Sequence, residues 1–195
     1  MINLQEFIND IVNNMSTFLQ SGGYLVGFLV VYVESIFAFV PIAIFFALNL
    51  IAFGNVGGFI VSYLATVAGC ITSYYIFYHL SNTKLLQKIL NNKKFKIDSL
   101  TNTISNISLS KLTVITAIPF APAFLINIVA GITKVEKRKF FIAIIVAKLF
   151  IVYFWGFIGK SLLESFTDIK TISMIAVFLI IFYIISKILE KKFDI

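Results

Sequence analysis

Two ionisable side chains stand alone in otherwise uncharged surroundings. Glu34 lies within the apolar run 24–53, and Lys148 is the single charge between Phe140 and Gly159. A lone charge at such depth is expensive and marks a functional site by default. Glu34 offers a protonatable group. Lys148 either pairs with Glu34 or presents a cation to a lipid phosphate. A second pattern is the proline-broken stretch Thr116 to Gly131, with Pro119 and Pro122 three residues apart. Each proline removes a backbone donor and crowds the preceding turn, costing about 3 kcal/mol inside a helix. Pro41 interrupts the first apolar run in the same way. Asn127, five residues past Pro122, carries an amide that both donates and accepts; it either satisfies backbone groups freed by the prolines or contacts a substrate. Asn49 and Asn55 pose the same choice.

Other reactive residue types are sparse. His79 and Cys70 are each the only one of their kind, which argues against a metal cluster, a catalytic triad or an internal disulfide. His79 reads as an interfacial residue and Cys70 as a small packing residue. No HExxH, GxSxG or phosphate-binding loop is present, so neither an enzyme nor a cofactor is expected. The formal net charge of +7 comes from basic residues in short loops beside apolar segments, which points to membrane topology rather than nucleic acid. Attraction to anionic headgroups is its second meaning.

The elements that must position these groups are membrane segments. With 59% hydrophobic and 13% charged residues and a mean hydropathy of +0.98, the chain reads as an all-α integral membrane protein. Residues 1–20 form an amphipathic helix too polar to span, suited to the interface or to the flank of a bundle. Because this stretch is polar, no removable signal peptide is expected. The run 24–53 is either one kinked span or a hairpin. Residues 56–80 make a plain spanning helix, with Gly54, Gly58, Ser62, Ala65, Gly69 and Ser73 as a stripe for close packing. A polar loop, 81–111, holds a short surface helix near Leu85–Leu90. The broken stretch 112–133, the basic run Lys134–Lys139 and a span over 140–159 follow. A short terminal helix, 171–186, and a basic tail, 187–195, complete the chain.

Charge orders these pieces. The most basic loops flank 112–133 on both sides, and short cationic loops stay cytoplasmic, so that stretch enters and leaves on one face as a re-entrant hairpin. Irregular backbone is tolerated at membrane depth only against protein or a wet cavity. Residues 1–83 contain no lysine or arginine, which places the N-terminus outside and makes 24–53 a hairpin entering from the opposite face. A hairpin followed by a span then occurs twice in inverted orientation, a transporter plan. The basic loops and the C-terminus are expected on the cytoplasmic side of the cell membrane.

The run Pro119, Pro122, Asn127, Gly131 and Thr133 (P-x-x-P-x-x-x-x-N-x-x-x-G-x-T) resembles the second signature of the DedA superfamily, also called the SNARE-associated Golgi protein or VTT-domain family. Within that family it is most similar to the branch typified by the yeast Golgi membrane protein. Pro41, Phe53-Gly54, Gly58, Gly69 and the aromatic, basic exit at Tyr78 to Lys84 agree with the upstream half, and the resemblance covers residues 30 to 163. It implies two opposed re-entrant hairpins and movement of lipid between leaflets, of undecaprenyl phosphate in bacterial relatives and of phospholipids in eukaryotic ones. Membrane lipids are then the partners, protons or another ion the coupling species, and homo-oligomers are compatible. A proton- or ion-coupled solute transporter and a non-transporting scaffold are the competing readings. Many relatives carry arginine at the positions of Thr116 and, in one branch, of Pro122. Arginine suits bidentate phosphate binding, so this chain needs another cation, Lys148 or Lys111.

Overall fold

The computed structural model describes residues 4–38, 40–81, 107–119, 123–164 and 168–193. Helix α1 (Leu4–Phe37) and helix α2 (Ile42–Leu80) are each bent at a glycine in the left-handed region, Gly23 (φ 65°) and Gly54 (φ 76°). A side chain there would strain the backbone, so these two glycines set where the axes turn. After the first bend, 24–37 and 42–53 run about 21 and 18 Å at 1.5 Å per residue, well short of a ~30 Å hydrocarbon core. They fold back on each other. The Tyr24 and Phe53 rings sit 4.7 Å apart at the open end, and Gly27 packs directly against Asn49 and Phe53. Asn49 fixes the pair: its amide donates to the Gly27 carbonyl (3.3 Å) and to Ser62 Oγ (3.0 Å) on the straight part of α2. At the closed end Ala38 takes φ 50°, a left-handed turn in a non-glycine residue.

The second half repeats the theme. Helix α3 (Leu109–Ala117) begins where Ser108 accepts the Lys111 N–H, and helix α4 (Ala123–Ile132) follows the proline segment. At about 13 and 15 Å, neither arm can cross a bilayer. Helix α5 (Lys137–Glu164) is long enough. The arms of this second hairpin lie on the long helices rather than on each other: α4 packs on α2 and α3 on α5, while the first hairpin packs on both α2 and α5. Ile107 before α3 and Val135 after α4 join one core with Tyr74, Leu112, Ile126 and Phe140. Tyr74 anchors it, donating to the Val135 carbonyl at 2.6 Å and stacking on Phe140 at 4.5 Å. The backbone after α4 closes by Val135 N–H to the Ala130 carbonyl, with Lys134 left-handed (φ 53°). Lys134 and Lys137 then sit over the Tyr78 ring at 5.6 and 5.0 Å.

Close approach at two glycines holds the halves together. A Cβ on Gly131 would lie 2.6 Å from the Tyr74 carbonyl and 3.0 Å from the Tyr78 nitrogen, and one on Gly159 would lie 2.5 Å from the Ala43 carbonyl. Because backbone cannot yield as a side chain can, Gly131→Val is expected to force α4 off α2 and destabilise by about 1–3 kcal/mol. Cys70, buried in the same core, supplies the readout. Its maleimide labelling in detergent should accelerate in the variant, and an unchanged rate would count against tight α2–α4 packing.

Helix α6 (Ile169–Phe193) packs through Ile175, Leu179 and Phe182 on Phe154 and Ile158 of α5, with most of its remaining apolar side chains exposed. Asp168 caps it. The Thr171 hydroxyl (2.6 Å), helped by the Lys170 and Thr171 N–H groups, holds this carboxyl below the usual carboxylate range. Among the described residues, four helices are long and apolar enough to cross a membrane: Asn9–Phe37, Ile42–Leu80, Lys137–Glu164 and Ile169–Ile188. The chain is an all-α integral membrane protein.

Several boundaries differ from those the sequence predicts. The terminal helix is longer than 171–186 because the Lys/Glu-rich tail carries the helix on to Phe193. The span expected over 140–159 is the longer α5, since basic ends extend an apolar helix without breaking it. Phe7, Ile11, Met15 and Phe18 of the N-terminal amphipathic part remain exposed, whereas Ser16 and Leu19 are buried. The predicted surface helix near Leu85–Leu90 lies outside the described residues.

Candidate functional site

The described residues at both hairpin tips face one cavity of about 330 Å³. Its wall combines Glu34, Ser35, Ala38 and Val40 of the first turn with Thr116, Ile118 and Pro119 of the second. Ile42, Phe46, Thr66 and Cys70 of α2, Phe124 and Asn127 of α4, and Lys148, Ile151 and Trp155 of α5 complete it. At ~30 Å³ per water the volume equals about ten molecules, far more than one bridging water needs.

Five of the seven residues singled out from sequence therefore meet: Glu34, Thr116, Pro119, Asn127 and Lys148. The other two do not line the described wall. Pro41 stands exposed at the start of α2, where its neighbours Val40 and Ile42 face the cavity instead. Proline suits the first turn of a helix because no N–H is needed there. Pro122 lies outside the described residues.

The polar groups divide by what they have already bonded. Thr116 Oγ1 donates back to the Leu112 carbonyl (2.8 Å), Thr66 Oγ1 to Ser62 (2.7 Å) and Ser35 Oγ to Val31 (2.8 Å). Those hydroxyl protons are used within their own helices, leaving lone pairs for the cavity. Glu34, only 6% exposed, accepts the Val40 N–H through Oε1 at 2.9 Å. The acid thereby pins the turn that Ala38 makes. Asn127 is 1% exposed, and its Oδ1 has no hydrogen-bond partner among the described residues. Lys148, 2% exposed, makes no ion pair with Glu34, although both line the cavity. Among the described residues the ion pairs are Lys139–Glu136 and Lys160–Glu164. Among the described residues, the cavity thus holds a lysine without a counter-ion and an amide oxygen without a donor.

Sequence reasoning passed over Trp155. The only tryptophan in the chain donates its indole N–H to the Pro119 carbonyl at 3.3 Å, tying the second turn to α5. A single tryptophan inside an apolar span, with a polar handle that must find a partner, was the available signal. His79, by contrast, lies away from the cavity; its Nδ1 meets the Tyr75 carbonyl at 2.8 Å.

Residues 40–161 match the family model of the VTT domain. The chain belongs to the VTT-domain family, the DedA/SNARE-associated group. It is similar to a Bacillus subtilis (strain 168) protein described as an uncharacterized membrane protein, YhjE. The identity is 26% over 185 residues, covering 94% of this chain and 86% of that one. No solved structure matches. The matched span of this VTT-domain protein takes in every described wall residue except Glu34, Ser35 and Ala38, which the hairpin turn just before it supplies. The cavity has Thr116, its hydroxyl proton spent inside α3, and its lysine is Lys148 on α5.

Proposed function

We propose that this VTT-domain protein moves a phosphate-bearing lipid, such as a phospholipid or undecaprenyl phosphate, between leaflets of the cell membrane. The headgroup would pass through the cavity between the hairpin turns while its tails stay in lipid. The observation that carries the reading is the buried Lys148 ammonium facing this cavity with no counter-ion among the described residues. Burying an ammonium is costly unless something pairs with it, and an anionic headgroup is the pairing a membrane supplies. Charge-assisted bonds to phosphate are strong in such surroundings. Asn127 Oδ1 would take a donor from the same ligand, and Glu34 would exchange the coupling proton. The paired short helical hairpins, each followed by a long helix, support a re-entrant inverted-repeat plan with the basic loops on the cytoplasmic side.

Reconstituted liposomes test the reading. With labelled lipid and an impermeant reductant such as dithionite, protein-containing vesicles are expected to lose signal beyond the outer-leaflet half. Failure with phosphatidylglycerol, phosphatidylethanolamine and polyprenyl phosphate alike would favour the proton-coupled solute transporter, for which an acid and an amide in one cavity are equally suited.

A further inference from the structure

A second recess lies on another side of α5, away from the central cavity. It encloses about 480 Å³ and is lined by Leu50, Phe59, Val152, Tyr153 and Phe157, with Asn55 and Lys160 also on its wall. Tyr153, Phe157 and Lys160 follow one another by four and three along α5, so the recess runs about 10 Å from Lys160 toward Val152 at 1.5 Å per residue. The polar end is built by the bend at Gly54. With φ 76° there, the chain turns and brings Asn55 against α5, where Lys160 Nζ donates to Asn55 Oδ1 at 2.8 Å. That bond fixes the amide's orientation. Its NH₂ group then points away from the ammonium, and no hydrogen bond engages it among the described residues. Among the described residues the other polar contact of Lys160 is Glu164 Oε1 at 3.7 Å, a largely exposed (i, i+4) pair of the kind worth only about 0–1 kcal/mol. Two sets of donors therefore meet at the mouth of an apolar groove, with one weakly held carboxylate beside them. Tyr153 and Phe157 are themselves exposed, so the groove opens outward from the bundle.

We propose that this groove holds one anionic phospholipid, its phosphate between Lys160 Nζ and the Asn55 amide and one acyl chain along Phe59, Tyr153 and Phe157. Charge selects the occupant. A zwitterionic lipid offers the same chain and phosphate but carries a compensating cation to the lysine. The mouth lies near the Glu164 end of α5, where a span meets the headgroup layer, and the apolar end runs toward mid-helix, matching the direction of a lipid chain. The site is distinct from the transport cavity and, deepening the proposed lipid function, would give the chain a resident anionic lipid on the face opposite its basic loops.

Trp155→Phe combined with Phe157→Trp places the only indole in the groove. In nanodiscs, brominated phosphatidylglycerol is expected to quench it about fivefold more effectively than brominated phosphatidylcholine at equal mole fraction, the effect of one cation near the membrane surface. Lys160→Gln should bring the two lipids to parity, and Lys148→Ala in the same background should leave the preference intact. Equal quenching before the lysine is changed, or a preference that survives Lys160→Gln, overturns the proposal. So does protection from both lipids accompanied by a dimeric mass, which would assign the groove to a second copy. Binding is read here without transport, so absent flipping by the unsubstituted protein with intact selectivity in the indole variant sinks only the transport reading.

Discussion

Lys148→Met is expected to abolish lipid movement while making the protein harder to unfold. Lys148 sits mid-helix on α5, buried, without an ion pair to any described residue. A lysine at the centre of a membrane helix costs about 2.5–3.5 kcal/mol relative to apolar residues. Methionine has similar length and removes that penalty with little change in packing. The midpoint of thermal unfolding in detergent should therefore rise by several degrees. Transport should fall, because truncating one member of a desolvated charge pair removes about 2–5 kcal/mol, thirtyfold or more in rate or affinity. Lys148→Arg keeps the charge and the phosphate geometry and should retain part of the activity. Flipping assays beside melting curves on the same preparations decide the matter. Undiminished transport in the methionine variant removes the lysine from the mechanism, and a lowered midpoint would mean that its charge is paired within the protein.

That opposition between stability and function was legible before any coordinates, because a charge in an apolar run departs from the local rule without evident compensation. Glu34 and Lys148 stood out for that reason, and so did the prolines, whose missing donors rule out an unbroken helix. Asn127 stood out as an amide just past the prolines, whereas Thr116 came only through the signature shared with the VTT family. What stayed hidden depends on chain geometry across long separations. Trp155 meets the Pro119 carbonyl 36 residues away. The Asn49 amide bridges Gly27 and Ser62, and no spacing in the sequence selects that pair. The fold of 24–53 was open between a kinked span and a hairpin because Pro41 is compatible with either. The contact between the Tyr24 and Phe53 rings, on opposite arms of that stretch, has no signature in the sequence. Pro41 starts α2 outside the described wall, and a helix-starting proline and a substrate-facing one look alike in sequence.

Glu34→Gln separates the two things this acid can do. Its Oε1 accepts the Val40 N–H across the turn where Ala38 is left-handed. Glutamine keeps an oxygen at that position, so the turn should survive and protein abundance should stay near normal. Alanine leaves the Val40 N–H without its acceptor, a loss of about 1–3 kcal/mol for a partly buried donor, and the variant should melt earlier. If Glu34 exchanges a proton during transport, glutamine fails for another reason: it cannot change charge. Flipping driven by an imposed pH gradient should then drop about tenfold or more, equivalent to roughly 1.4 kcal/mol on the barrier. Its dependence on the gradient should vanish as well. A scaffold predicts the reverse, with glutamine changing nothing beyond abundance. Full, gradient-sensitive transport by the glutamine variant would reduce Glu34 to the cap of its hairpin turn and leave Lys148 as the one charge that the lipid must meet.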